Sequence, residues 1–170
     1  MPTKRFSKFA IAAMTAAIAT LSFAGEPKNS DKAPNLEGSY KLIMRRLPDG
    51  SMHTAPEING LLTFTKTHKN LNIVWKDAQG KLHSHAVVST YKLTATDYSE
   101  TILFGVENDA AGAQKTNYDL SGQSRSVPLV ANGNHLEFQL PFDHAKMAFD
   151  ENWITTKTEG KFTDYWERVE

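Results

Sequence analysis

Through residues 38–169, short period-two stretches alternate with turn signals, and that rhythm leaves few folds open. The first stretch, Gly38–Arg46, reads GSYKLIMRR. Tyr40, Leu42 and Met44 fall on one face and Lys41, Ile43 and Arg45 on the other, the period of a half-buried strand. Residues 47–59 contain Pro-Asp-Gly and a second proline. They are expected to form a long loop over one mouth of a barrel. A hairpin follows, residues 60–66 and 71–76 joined by 67–70, and residues 77–80 turn again on Gly80. Residues 82–93 put His83, His85, Val87, Ser89 and Tyr91 on one side. Residues 98–106 align Tyr98, Glu100, Ile102, Phe104 and Val106 in the same way. Weaker strands at 115–120 and 125–130 lead to Asn132-Gly133-Asn134, a hairpin signal, and to the alternating HLEFQL of 135–140. Residues 143–152 are the one predicted helix, short and capped by Asp143. Residues 153–158 and 162–169 then form the final hairpin across Glu159-Gly160.

Sequential hairpins of this kind predict an all-β fold, an antiparallel up-and-down β-barrel of about 8–10 strands with one short helix. Closing such a meander removes its two open edges, so the first and last strands are expected to pair as the seam.

The first 24 residues lie outside that pattern. Lys4, Arg5 and Lys8 precede a 15-residue apolar run, and Ser22-Phe23-Ala24 places small residues where a signal peptidase cuts. The run is shorter than the roughly 20 residues a membrane span needs. A signal peptide cleaved after Ala24 is expected, and with it a periplasmic or secreted location. Residues 25–35 are expected to be a flexible leader and 36–170 a single barrel domain. Losing the three cations of the signal leaves 16 basic residues against 19 acidic ones, a net charge near −3. That balance gives no basic surface for nucleic acid. The chain has no cysteine, so burial and hydrogen bonds must supply its stability.

The opening GSYKL and the closing DYWERV resemble bacterial lipocalin-like domains of the calycin group, which begin on a Gly-x-Trp strand and end on a Trp-x-Arg strand. The run STYKLTATDYSETILFGV, residues 89–106, is similar to their strand-turn-strand segment. Tyr40 stands here in place of the first-strand tryptophan. The resemblance implies that Arg168 covers Tyr40 at the closed end of the barrel, with Trp166 beside it. These three residues would then be structural, joining cation–π contact to bonds with nearby carbonyls.

No Gly-x-Ser-x-Gly, His-Glu-x-x-His, P-loop or dinucleotide fingerprint occurs, so no catalytic set and no cofactor is assigned. His83 and His85 lie two apart on a strand, with Cα atoms about 6.5–7 Å apart, and are the candidate metal pair. Two imidazoles alone make no zinc site; His53, His68, His135 or His144 would have to join them. Glu100 is expected on the outer face. If it turns inward it needs a partner, for which Arg45, Arg46 and Arg125 are the candidates. The ligand-binding set is Phe64, Trp75, Tyr91, Glu100, Phe104, Tyr118 and Phe138, mostly aromatics from different strands that could line a barrel interior.

The leading expectation is an exported barrel that binds a small, largely apolar molecule in its interior. One alternative is a cavity enzyme performing isomerase- or cyclase-type proton transfer. Another is a filled barrel that contacts an envelope protein. An inward Glu100 or His85 beside an open cavity would favour the enzyme, an apolar cavity the binder, and a packed interior with an exposed apolar patch the interaction module.

Overall fold

The computed structural model describes residues 35–109 and 115–169. The expected signal peptide, and the leader up to residue 34, lie outside the described residues.

Twelve strands follow in order: β1 (Gly38–Arg46), β2 (Met52–His53), β3 (Ile58–Phe64), β4 (His68–Lys76), β5 (Leu82–Leu93), β6 (Asp97–Asp109), β7 (Lys115–Asp119), β8 (Ser124–Asn132), β9 (His135–Gln139), β10 (Lys146–Asp150), β11 (Trp153–Thr158) and β12 (Phe162–Arg168). Ten of them form a closed antiparallel barrel, each paired with the next along the chain. The short β2 and β7 attach only to β1 and β6 respectively. The seam is β1 against β12, with Tyr40 opposite Arg168, Leu42 opposite Trp166 and Arg45 opposite Asp164.

The predicted helix is absent, and no helix occurs among the described residues. Within residues 143–152, Asp143 caps only an Asx turn, accepting a hydrogen bond from the Ala145 amide at 3.2 Å. His144 adopts φ 55° and Glu151 φ 36°, which break helical continuity. Between them Met147 and Phe149 alternate inward as strand β10. The buried face that β9 offers in its Leu136 and Phe138 outweighs the modest helix propensity of Ala145-Lys146-Met147.

Two β-bulges correct the inward-outward reading of the sequence. On β1, Leu42 faces Trp166 and Met44 faces Tyr165, so Ile43 is an extra residue. Past it, Arg45 instead of Met44 points inward. On β6, Ile102 faces Ser89 and Phe104 faces Val88, so Leu103 is extra. Past it, Phe104 turns outward, 42% exposed, and Gly105 and Glu107 take the inward positions. A bulge inserts one residue, which reverses every later side chain relative to simple alternation.

The core fills one end of the barrel. Leu36, Tyr40, Phe64, Tyr98, Phe138 and Phe149 are all buried there. Tyr98 stacks on Phe138 at 4.3 Å between ring centroids and on Tyr91 at 5.9 Å, and Tyr91 meets Phe64 edge-on at 5.4 Å. Arg168 lies over Tyr40 at 5.7 Å and donates to the carbonyls of Glu37 and Glu151. Gly60 makes room for Trp166. A Cβ at that position would stand 3.1 Å from the indole ring and 3.2 Å from the Asn72 carbonyl.

Candidate functional site

Above the aromatic end the barrel is hollow. A cavity of about 600 Å³ opens towards residues 47–57 and the turns at 77–80 and 158–161. Its apolar wall comes from Ile58, Leu62, Leu71, Ile73, Trp75 and Met147, with Trp166 also lining the space. Alternation on the paired strands β3 and β4 places Ile58, Leu62, Leu71, Ile73 and Trp75 side by side, and Met147 comes from β10, which pairs with neither. A second chamber of about 240 Å³ adjoins it, between β6, β7 and residues 140–143. Lys69, Leu71, His85, Glu107, Leu140 and Asp143 line both. β7 pairs with β6 alone, and Tyr118 and Phe142 flank this smaller chamber.

Glu100 sits at the boundary between the aromatic core and the hollow, and it is inward and buried, contrary to its expected outer position. Its Oε1 accepts from Ser89 Oγ at 2.7 Å and pairs with Lys69 Nζ at 2.6 Å. Its Oε2 accepts from the Tyr98 hydroxyl at 3.0 Å. The partner is therefore a lysine from β4, not any of the three arginines suggested by the sequence. Burial, with the Glu100 charge beside it, raises the Tyr98 pKa well above 10, so this hydroxyl remains a donor. Among the described residues no buried side-chain polar atom lacks a partner.

Arg45 forms the second interior pair, bidentate to Asp164 through Nε at 2.6 Å and Nη2 at 2.7 Å. Its guanidinium also lies 3.7 Å from the Phe162 ring centroid and 5.5 Å from that of Trp75. The Trp166 indole N–H donates to Thr156 Oγ1 at 3.2 Å, holding the indole in place.

At the junction of the chambers His85 and Glu107 are cross-strand neighbours. Burial lowers the His85 pKa, only partly opposed by Glu107 and Asp143, and so favours the neutral ring. Asp143 is reachable by water from the cavity, yet the protein crowding it raises its pKa, with Lys69 opposing. The arrangement can hold an apolar body and orient a polar group at the junction.

The residues singled out from the sequence divide into distinct places. Trp75 lines the large cavity and Glu100 the small one. Phe64 and Phe138 are core at the aromatic end, and Tyr91 packs against them with its hydroxyl donated to the Thr65 carbonyl at 2.6 Å. Tyr118 is 71% exposed on the outer side of the small chamber. Phe104 lines neither chamber. His83 stacks on Trp75 at 5.3 Å and bonds the Asp77 carboxylate at 3.1 Å. Among the described residues no group of three or more His, Asp or Glu is placed to hold a metal ion.

Lys69, Asp143, Glu107 and the Arg45–Asp164 pair were not singled out as a site by sequence. Arg45 and Glu107 reach the interior only through the two bulges, which no local pattern announces. Lys69 lies within residues 67–70, read as a turn, whereas β4 begins at His68 and carries Lys69 inward. Compared with protein-family models, curated proteins and solved structures, the chain matches none.

Proposed function

We propose that this protein is an exported, lipocalin-like barrel that binds a small, largely apolar molecule in its interior. One observation carries the reading: a cavity of about 600 Å³, apolar over most of its wall, stands inside a barrel whose other end is closed by its own aromatics. Pockets for small molecules commonly span about 300–1,000 Å³ and combine an apolar wall with a few placed polar groups. Lys69, His85 and Asp143 supply those groups. The signal-like first 24 residues support a periplasmic or secreted setting.

The test is binding of the neutral fluorophore N-phenyl-1-naphthylamine, alongside native mass spectrometry of protein purified without denaturation. Ile73→Trp, which projects an indole into the cavity, is expected to weaken dye binding at least tenfold. Phe104→Ala, on the outer wall, is expected to leave it unchanged. Equal binding by both variants would place the dye elsewhere and sink the reading.

A second reading, proton transfer on the bound molecule, is favoured by inward-facing His85 and Asp143, whose environments shift their pKa values in opposite directions. Glu100 is a weak candidate base, because three donors already hold it. Incubating a retained ligand with substoichiometric protein in deuterium oxide separates the readings. Carbon-bound deuterium beyond one equivalent per protein marks turnover, and none marks a binder.

A further inference from the structure

The charges at the junction of the two chambers do not balance, and the imbalance points to one class of ligand. Arg45 is fully engaged by Asp164, and Lys69 by Glu100. Both are thus held by carboxylates within hydrogen-bond distance, and the other two cations on the larger chamber's lining, Lys76 and Lys161, stand at its mouth beside the turns at 77–80 and 158–161. Asp143 and Glu107 remain at the junction of the chambers, lining both. His85, the third group there, is held towards its neutral form by burial. The side chains of Lys69, Glu100, Asp143 and Glu107 together therefore carry one positive and three negative charges around the junction.

A ligand carboxylate placed there would meet two like charges, and the one cation at the junction, Lys69, is already paired with Glu100. A neutral alcohol would displace water from both carboxylates, which are solvent-exposed, without offering a charge in return. A protonated amine would satisfy them with charge-assisted hydrogen bonds. Resting on the ligand-binding reading above, we propose that the bound molecule carries a protonated amine, seated between Asp143 and Glu107 beside His85. Its apolar body lies in the larger chamber against Leu71, Ile73, Trp75 and Met147. The smaller chamber, continuous with the junction through shared lining residues, leaves room for substituents on the nitrogen.

The experiment compares decylammonium, decanol and decanoate, below their micellar concentrations, as competitors of N-phenyl-1-naphthylamine. Charge-assisted bonds of the usual strength predict decylammonium to bind about tenfold or more tighter than decanol, with decanoate weakest. In the double variant Asp143→Asn/Glu107→Gln, which preserves side-chain shape and removes both charges, the amine advantage is expected to fall to near parity, with decylammonium weakened and decanol bound no more weakly than by the unmodified protein. Equal or better binding of decanol or decanoate by the unmodified protein overturns the amine assignment but leaves the binding reading intact. Persistence of the amine advantage in the double variant overturns the placement at these carboxylates. Absence of dye binding, together with no binding of any of the three compounds by titration calorimetry, overturns both inferences.

Discussion

The two ends of this barrel are built from the same strands with the same alternation, yet one is filled and the other hollow. At the filled end, inward positions carry rings: Tyr40, Phe64, Tyr98, Phe138 and Phe149. They consume the space within the barrel and exclude polar groups apart from hydroxyls that find partners, such as Tyr40 donating to the Leu36 carbonyl at 3.2 Å. At the hollow end, inward positions mix aliphatic side chains with Trp75, Trp166 and charged groups that leave the centre open, and the longest side chains, Arg45 and Lys69, are drawn to carboxylates on the wall. Between the ends stand the Glu100 network and the two bulges. Stability is concentrated where rings stack, and the capacity to receive a ligand where they do not.

The sharpest way to break this comparison is to cut each end equally. Phe138→Ala, which empties a stacked position at the filled end, is expected to cost about 3–5 kcal/mol in urea unfolding. Ile73→Ala borders space that is already empty, so little new cavity is created, and its cost is expected to stay near 1 kcal/mol. Comparable losses at the two sites would mean that the hollow is not hollow in solution.

The boundary layer comes next in size. Glu100→Ala strips the partner from a buried lysine, a change expected to cost about 3 kcal/mol. That is the low end for a broken buried pair, because Lys69 lines the cavity and water can reach it. Adding Lys69→Met should restore much of the loss. A double variant as unstable as the single one would show that the pair is not coupled.

Arg168→Ala removes two carbonyl contacts and the cover over Tyr40 at a partly exposed site, so about 1–2 kcal/mol is expected from the same denaturation measurement. Ligand affinity should not change, since Arg168 lies at the end away from the cavity.

The smallest effect is on pH dependence. The folded pKa of His85 is lowered from 6.5, so the unfolded chain takes up the proton first. The stability associated with a neutral His85 is present above 6.5 and is lost as pH falls from there through the lowered value. His135 has its pKa raised, chiefly by its bond to Asp150, and therefore acts with the opposite sign in the neighbouring range. Comparing unfolding free energies of the unmodified chain and His85→Gln between pH 7.5 and 5.5 isolates the first contribution. A decline of equal slope in both would assign it elsewhere.

The filled end was legible because its residues obey simple alternation on strands flanked by clear turns. Tyr40 and Arg168 were read at the seam between first and last strands and face each other there. Phe64 and Phe138 were read inward by period two but as ligand-lining, whereas they are core, and Trp166, read beside Tyr40 and Arg168, lines the large cavity. The hollow end was far less so. Ile43 and Leu103 look like ordinary strand residues, yet each is the extra member of a bulge, and everything beyond them reverses. Phe104 was read inward and lies outside; Arg45 was read on the face opposite Tyr40 and Leu42 and shares the interior with them. Residues 143–152 favoured a helix locally and became a strand because a neighbouring strand offered a buried face.

By itself the sequence determined that the chain is all-β, that its hairpins run in order, and that its ends meet as a seam. Those properties follow from local periodicity, turn chemistry and the need to bury apolar faces and pair strand edges. Only the tertiary structure decided that Lys69 answers Glu100, that Arg45 answers Asp164, and that His85, Glu107 and Asp143 converge on one junction. The Arg45–Asp164 and His85–Glu107 pairings lie past bulges, Lys69 and Glu100 meet from strands on either side of β5, and Asp143 arrives on the turn between β9 and β10. Register and packing of this kind are properties of paired strands that no single strand carries.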